Sequence, residues 1–225
     1  MITSSHNPKL RLLHRLLESR RQREKEGLFV VEGEDLVEAA DDAGIDPVEL
    51  LRAGEDVEPD LLAKVSTMGH PPRVMGIYRR EALPRGVEPV SLALWHVTDP
   101  GNVGTILRTA DAFGASVALS PGCADVTGPK ALRASAGAVF RVPLAGFDEP
   151  DGKRVALVSH AGRLLADLDP GVPVTYVLGA ERRGLPDDVV AACDETATIP
   201  LAPGAESLNV AVAGAIALYE HRRGR

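Results

Sequence analysis

Leu10, Leu13 and Leu17 recur at helical spacing behind Asn7-Pro8, with the basic groups mostly opposite, which predicts an amphipathic helix opening at that dipeptide. Leu28-Phe29-Val30-Val31 is a short unbroken apolar run and reads as a buried strand, followed by a helix from about Asp35 to Ala43. Val48 to Leu51 and Val74 to Tyr78 are further strands, with a helix from Pro59 to Val65 between them. This α/β alternation suffices for a small layered domain over residues 1–82. Pro84, Gly86 and Pro89 punctuate the next stretch, so residues 83–89 read as a linker.

From residue 90 the alternation strengthens. Val90 to Val97 is a nearly continuous apolar strand, followed by a Pro-Gly turn and a helix from about Val103 to Phe113. Ser116 to Leu119, Val155 to Val158, Val174 to Leu178 and Thr196 to Ile199 are short β-branched runs of the kind that fill a parallel sheet buried on both faces. A last helix runs from about Leu208 to Arg222. The fold class is therefore α/β, with a doubly wound parallel sheet over residues 90–225 whose ligands sit beyond the carboxyl ends of its strands.

Composition narrows the function. With 44% hydrophobic and 25% charged residues in 225, the chain is an ordinary globular protein. Its net charge of −7 excludes a uniformly basic nucleic-acid coat but not a local basic patch. The charge is in fact polarised. Residues 1–27 carry seven basic groups (Lys9, Arg11, Arg15, Arg20, Arg21, Arg23, Lys25) against three acids, whereas residues 28–60 set Arg52 alone against twelve. From charge alone the basic arm is a solvated helix face. Cys123 and Cys193 stand 70 positions apart without a CxxC, and the six histidines show no metal spacing, so the expectation is free thiols, no metal and a reducing cytoplasm. Met1 to Asn7 lacks the apolar core of a signal peptide, and the longest apolar run, Val210 to Tyr219, is half the ~20 residues a membrane helix needs.

Three loops at strand ends carry unusual polar residues. Asp99-Pro100-Gly101-Asn102-Val103-Gly104 leads into a helix bearing Arg108, and it lacks the GxGxxG of a dinucleotide site. Its Gly101-to-Gly104 spacing fits the GXXG of KH domains, a four-residue signal of little weight. Gly179-Ala180-Glu181-Arg182-Arg183-Gly184-Leu185 follows the strand ending at Leu178. Ile199 to Asn209 runs into the final helix, where Ser207 is placed to cap it and Asn209 needs a partner for its amide.

Taken together, Asn102 to Arg108, Gly179 to Leu185 and Ile199 to Asn209 resemble the three motifs of the SpoU (TrmH-like) branch of the SPOUT RNA ribose methyltransferases, in the family's order and spacing. Lys130 to Phe140 is also similar to the family. Ile2-Thr3-Ser4 through Asn7-Pro8, with Phe29 to Gly33, resembles the substrate-binding domain that precedes the catalytic domain in many members. The resemblance covers nearly the whole chain. Ala180 and Arg182 depart from it, standing where Asn and Gly are frequent in the family.

The resemblance implies methyl transfer from S-adenosylmethionine to a ribose 2′-hydroxyl of RNA, on a parallel sheet whose C-terminal part is threaded as a trefoil knot. It implies cofactor contacts from Leu178, Gly179, Ile199, Leu201 and Leu208, and a homodimer in which the neighbouring subunit supplies part of the site. In the catalytic set it places Arg108 against the ribose hydroxyl, has Asn102 and Glu181 orient Arg108 and the substrate, and completes the site with Ser207 and Asn209. A guanidinium stays protonated at ordinary pH, so Arg108 is expected to stabilise the developing alkoxide rather than act as a base. The basic arm gains weight as an RNA contact through Arg20 and Arg21, joined by Arg133, Arg182 and Arg183. The expected substrate is 23S ribosomal RNA, with transfer RNA as the alternative. A non-catalytic RNA-binding relative would not need all five catalytic positions, and a nucleotide-dependent oxidoreductase would need the missing glycine fingerprint.

Overall fold

The computed structural model describes residues 1–169 and 171–223. Helix α1 (Pro8–Glu18) opens behind Asn7, whose side chain accepts the Lys9 N–H, and buries Leu10, Leu13, Leu16 and Leu17. The helix spans the whole leucine pattern and ends directly behind it. Ser19 turns extended (φ −126°) and caps a second helix, α2 (Arg20–Glu26), by accepting the Gln22 N–H. There follow β1 (Leu28–Glu32), α3 (Glu34–Asp42), β2 (Glu49–Arg52), α4 (Pro59–Val65) and β3 (Val74–Arg79). The three strands form one antiparallel sheet in the order β1-β3-β2.

The second sheet is larger than the sequence pattern indicates. It has seven strands, ordered β6-β5-β4-β9-β7-β10-β8, and every neighbouring pair is parallel. Its elements are β4 (Val90–Leu94), α5 (Pro100–Phe113), β5 (Ser116–Leu119), α6 (Pro129–Ser135), β6 (Leu144–Gly146), β7 (Lys153–Leu157), β8 (Arg163–Leu164), β9 (Val174–Leu178), α7 (Asp187–Ala191), β10 (Glu195–Thr198) and α8 (Val210–Arg223). Alternation along each strand divides the sheet into two faces. Leu92 and Leu94 of β4, Val117 of β5, and Tyr176 and Leu178 of β9 pack with Ile106 and Leu107 of α5 and with Ala217 and Leu218 of α8. The opposite face carries smaller residues, Ala93, Ala118 and Val177, covered by Phe147 and by Val189 of α7. Gly104 lets α5 press against α6, since a β-carbon there would lie 2.5 Å from the Ala131 carbonyl oxygen.

The two sheets share one core. Phe140 stacks against Phe29 of β1 at 6.4 Å and lies tilted by 44° against Tyr78 of β3 at 6.2 Å between ring centroids. Burying each phenylalanine contributes roughly 1.5–3 kcal/mol. Burial, helped by Asp41, pushes the Tyr78 phenol up to about 12. The expected linker is correspondingly anchored. Leu83 is buried, the Leu144 N–H donates to the Pro84 carbonyl at 3.0 Å, and the Gly86 N–H donates to the Leu144 carbonyl at 3.2 Å. Among the described residues no helix is long and apolar enough to cross a membrane, and both cysteines are free.

Candidate active site

Three loops leave the carboxyl ends of neighbouring strands β4 and β9 and of β10, one strand further on beyond β7: β4 feeds residues 95–99 into α5, β9 feeds 179–186 into α7, and β10 feeds 199–209 into α8. What joins them is a relay of side-chain amides. Asn209, not Ser207, caps α8: its Oδ1 accepts the Ala211 N–H at 2.9 Å and the Val212 N–H at 3.3 Å. That duty turns its Nδ2 outward, to donate to Asn102 Oδ1 at 2.9 Å. Asn102 must then present its own Nδ2, which donates to Glu181 Oε1 at 2.9 Å. Each amide orientation follows from the one before it, starting from the helix cap and ending on a carboxylate. Asn209 thus finds its partner at the surface, not in the interior.

Asp99 fixes the middle of the relay. It caps α5 by accepting the Gly101 N–H at 2.7 Å and the Asn102 N–H at 3.1 Å, and its other oxygen takes Lys130 Nζ at 3.2 Å. The Asn102 N–H, with Lys130 and the Gly101 N–H behind it, holds the Asp99 carboxyl below its usual range despite some desolvation. The signal for this residue was present in the sequence as Asp-Pro at a helix start.

Two cavities share the 180–183 segment as a common wall. One, of about 360 Å³, is lined by all five residues expected to contact the cofactor: Leu178, Gly179, Ile199, Leu201 and Leu208. Ser207 also lines it, as do Val158, Ser159 and Glu206, which the sequence motifs did not indicate. Gly179 has no room for a side chain, because a β-carbon would lie 2.2 Å from the Gly184 carbonyl carbon. The second cavity, about 720 Å³, is polar, with Asn102, Glu181, Asn209, His96, Thr98 and Asp99 on its walls. Arg182 and Arg183 line both cavities and are exposed.

Arg108 departs from expectation. Neither Asn102 nor Glu181 bonds it; it is exposed, has no hydrogen bond or ion pair among the described residues, and lines neither cavity. Six residues along a helix is about 9 Å and one and two-thirds turns, which carries Arg108 off the face that holds Asn102.

The expected RNA-contacting arginines divide. Arg21 is exposed and unpartnered among the described residues. Arg20 donates to Glu24 Oε1 at 2.7 Å and to the Cys123 carbonyl at 2.8 Å, tying α2 to the second sheet's loops. Arg133 is committed too, donating to the Thr67 hydroxyl at 2.9 Å and to the buried Glu32 carboxylate at 3.3 Å, because that carboxylate needs a counter-charge. Arg23 of the basic arm is buried against Asp125. Arg11 and Arg15 are also unpaired among the described residues, and with His14 and Lys64 they line a groove of about 440 Å³ between α1 and α4.

Comparison with known proteins places these features. The family model of the SpoU rRNA Methylase family matches residues 89–219, and that of the MRM3-like substrate binding domain matches residues 7–69. The chain is 32% identical to an uncharacterized tRNA/rRNA methyltransferase of Synechocystis, over 99% of this chain and 93% of that one. It is 29% identical to the 23S rRNA (uridine(2479)-2′-O)-methyltransferase of Streptomyces viridochromogenes, over 99% and 92%. A crystal structure of an AdoMet-bound rRNA methyltransferase from Sinorhizobium meliloti superposes with a TM-score of 0.88 at 28% identity, covering 99% of this chain and 97% of the other.

Proposed function

The chain belongs to the SpoU rRNA methylase family and is an S-adenosylmethionine-dependent RNA methyltransferase, and on that premise we propose that it methylates a ribose 2′-hydroxyl of 23S ribosomal RNA. The Streptomyces relative carries the substrate half of this reading. The observation that carries the mechanism is the Asn209–Asn102–Glu181 relay, which lines the polar cavity and ends on Glu181, a residue on the wall of both cavities.

The 360 Å³ cavity suits the methyl donor. Leu178, Ile199, Leu201 and Leu208 offer an aliphatic slot, and the side-chain-free Gly179 leaves main chain accessible for the polar edge of an adenine. Bound there, S-adenosylmethionine supplies an electrophilic methyl on a sulfonium. Asn102, Glu181 and Asn209 then orient the ribose in the polar cavity, with Ser207 reaching it from the donor's side, and positioning of this kind can supply much of the acceleration. Threading of the C-terminal segment as a trefoil knot belongs to this reading; its support is that the 179–186 and 199–209 loops wall one cleft. So does the division into an RNA-recognition part (1–82), a connector (83–89) and a catalytic part (90–225).

Arg108 fits the reading as a residue delivered to a second subunit. It lines neither cavity of its own chain, and α8, which packs beside α5, leaves Val212 and Tyr219 exposed, a surface suited to a second copy of the chain. There Arg108 would stabilise the alkoxide as it forms and hold the adjacent phosphate. Arg108→Lys keeps the charge but loses the planar fork, and is expected to lower kcat about a hundredfold or more with unchanged donor affinity. Turnover near the parent rate would remove the arginine from this role.

Transfer of tritiated methyl from S-adenosylmethionine to 23S rRNA, followed by mapping of ribose methylation, tests the function as a whole. Label in a base, or in no RNA, would refute it. For RNA capture, the groove lined by Arg11, Arg15 and Lys64 replaces Arg20 and Arg133 as the expected footprint, with Arg21, Arg182 and Arg183 beside it. Charge reversal at Arg11 and Arg15 together should reduce the salt slope of RNA binding by about 2, since each phosphate contact contributes about one.

A further inference from the structure

Apart from tolerating a left-handed backbone, His96 does nothing for the fold that explains its being a histidine. Strand β4 ends at Leu94, short of the apolar run that continues to Val97, because the backbone at His96 turns left-handed (φ 51°). A side chain is disfavoured in that region, and strain of this sort collects at functional sites. The conformation is nonetheless held firmly. The His96 N–H donates to the Ser120 hydroxyl at 2.9 Å, and the imidazole lies 4.9 Å from the Trp95 ring, tilted by 34°. On another side it meets the bare backbone of Gly122, where a β-carbon would come within 3.1 Å of Nδ1.

The ring is therefore positioned but not used. Neither ring nitrogen has a hydrogen-bond partner among the described residues, and the residue is exposed on the wall of the polar cavity that also presents Asn102, Glu181 and Asn209. That cavity of about 720 Å³ is roomy enough for more than a ribose. We propose that His96 is a specificity-determining residue, whose free ring edge hydrogen-bonds the base of the nucleotide being methylated while the amide relay holds its ribose. A base is the part of that nucleotide that carries donors and acceptors fit for an imidazole, and an unpaired nucleotide offers its edge freely. This inference rests on the methyltransferase reading given above.

The test uses His96→Gly, which removes the imidazole and relieves the left-handed strain, and His96→Asn, which tolerates that backbone and keeps a polar group. Both are expected to bind S-adenosylmethionine with unchanged affinity. His96→Gly should lose about tenfold in kcat/KM for 23S rRNA, mainly through KM, as expected for one lost hydrogen bond. His96→Asn should recover part of that loss. His96→Gly should also flatten discrimination among transcripts that differ only at the methylated base. Wild-type kcat/KM and wild-type discrimination in His96→Gly would overturn the inference while leaving the methyltransferase reading intact. A wild-type enzyme that binds the donor but methylates no RNA would instead overturn that reading, and this inference with it.

Discussion

Asn102→Ala is expected to lower kcat by about a hundredfold or more, the cost of a misplaced reacting group, while donor affinity changes little. The Asn102 side chain bonds both other loops: it accepts from Asn209 and donates to Glu181. Alanine at this position cuts the relay at its centre. Asn209 keeps its bonds to the Ala211 and Val212 N–H groups, so α8 remains capped. Asp99 keeps its bonds to the backbone at 101 and 102, so α5 keeps its start. The helices survive and only the mutual placement of the loops is lost. Donor affinity is spared because Asn102 lines the polar cavity and not the one walled by Leu178, Ile199 and Leu208. Asn102→Asp is the sharper variant, for it sets a carboxylate beside Glu181 in place of a donor and should be no more active than alanine. Single-turnover methyl transfer, together with calorimetry of donor binding, separates the two effects. A variant with parental kcat would show that the relay is structural ornament, and a variant that loses the donor would show that the two cavities are not independent.

The parts of this architecture legible in the sequence are those that depend on periodicity and on order along the chain. Leu10, Leu13 and Leu17 marked α1, the β-branched runs marked β5, β7, β9 and β10, and three polar loops in sequence marked where the strands deliver their chemistry. Strand β6, of three residues, and β8, of two, are too short for any period to register. Roles decided by contact were less legible. Ser207 and Asn209 are both plausible caps by type, and only the backbone shows that α8 begins at Val210, behind Asn209. Arg108 shares a motif with Asn102 yet points elsewhere, because helical geometry and not sequence proximity decides which side chains meet. The charge pattern is least legible where a cation is already paired. Arg23, Arg20 and Arg133 look like one basic arm and patch in the sequence, but each is spent on joining the N-terminal elements to the loops around the second sheet, or to α6.

The largest loss of stability is expected from Asp125→Ala. Asp125 sits in the loop between β5 and α6, and its Oδ2 accepts Arg23 Nε at 2.7 Å. Its Oδ1 accepts Arg80 Nη1 at 3.0 Å, the Thr127 N–H at 3.0 Å and the Thr127 hydroxyl at 2.7 Å, while Arg80 also donates to that hydroxyl. Arg23 in turn donates to the Leu16 carbonyl at 2.7 Å, so one carboxylate ties together α1, α2 and the end of β3. The side chains of Arg23 and Asp125 are only 7% and 5% exposed, so alanine at 125 strands a guanidinium without its counter-charge. Breaking a buried pair in this way costs about 3–5 kcal/mol, far more than a surface bridge such as Lys9–Glu49. Urea unfolding followed by Trp95 fluorescence measures it, and the double variant Asp125→Leu with Arg23→Met should recover part of the loss, because the most buried cation is then gone while Arg80, 26% exposed, still loses its partner. Acid should reproduce the effect in part. Burial works against the Asp125 charge, but the hydrogen bonds from Thr127 and Arg23 and the charge of Arg80 outweigh it and hold the carboxyl at about 2. A carboxyl lowered on folding stabilises fully above its unfolded value near 4 and loses that contribution as pH falls towards 2, here about 2 kcal/mol in all. The wild-type protein should therefore lose stability between pH 4 and pH 2 more steeply than the double variant, and coincident curves would mean that the carboxylate contributes nothing to joining the two sheets.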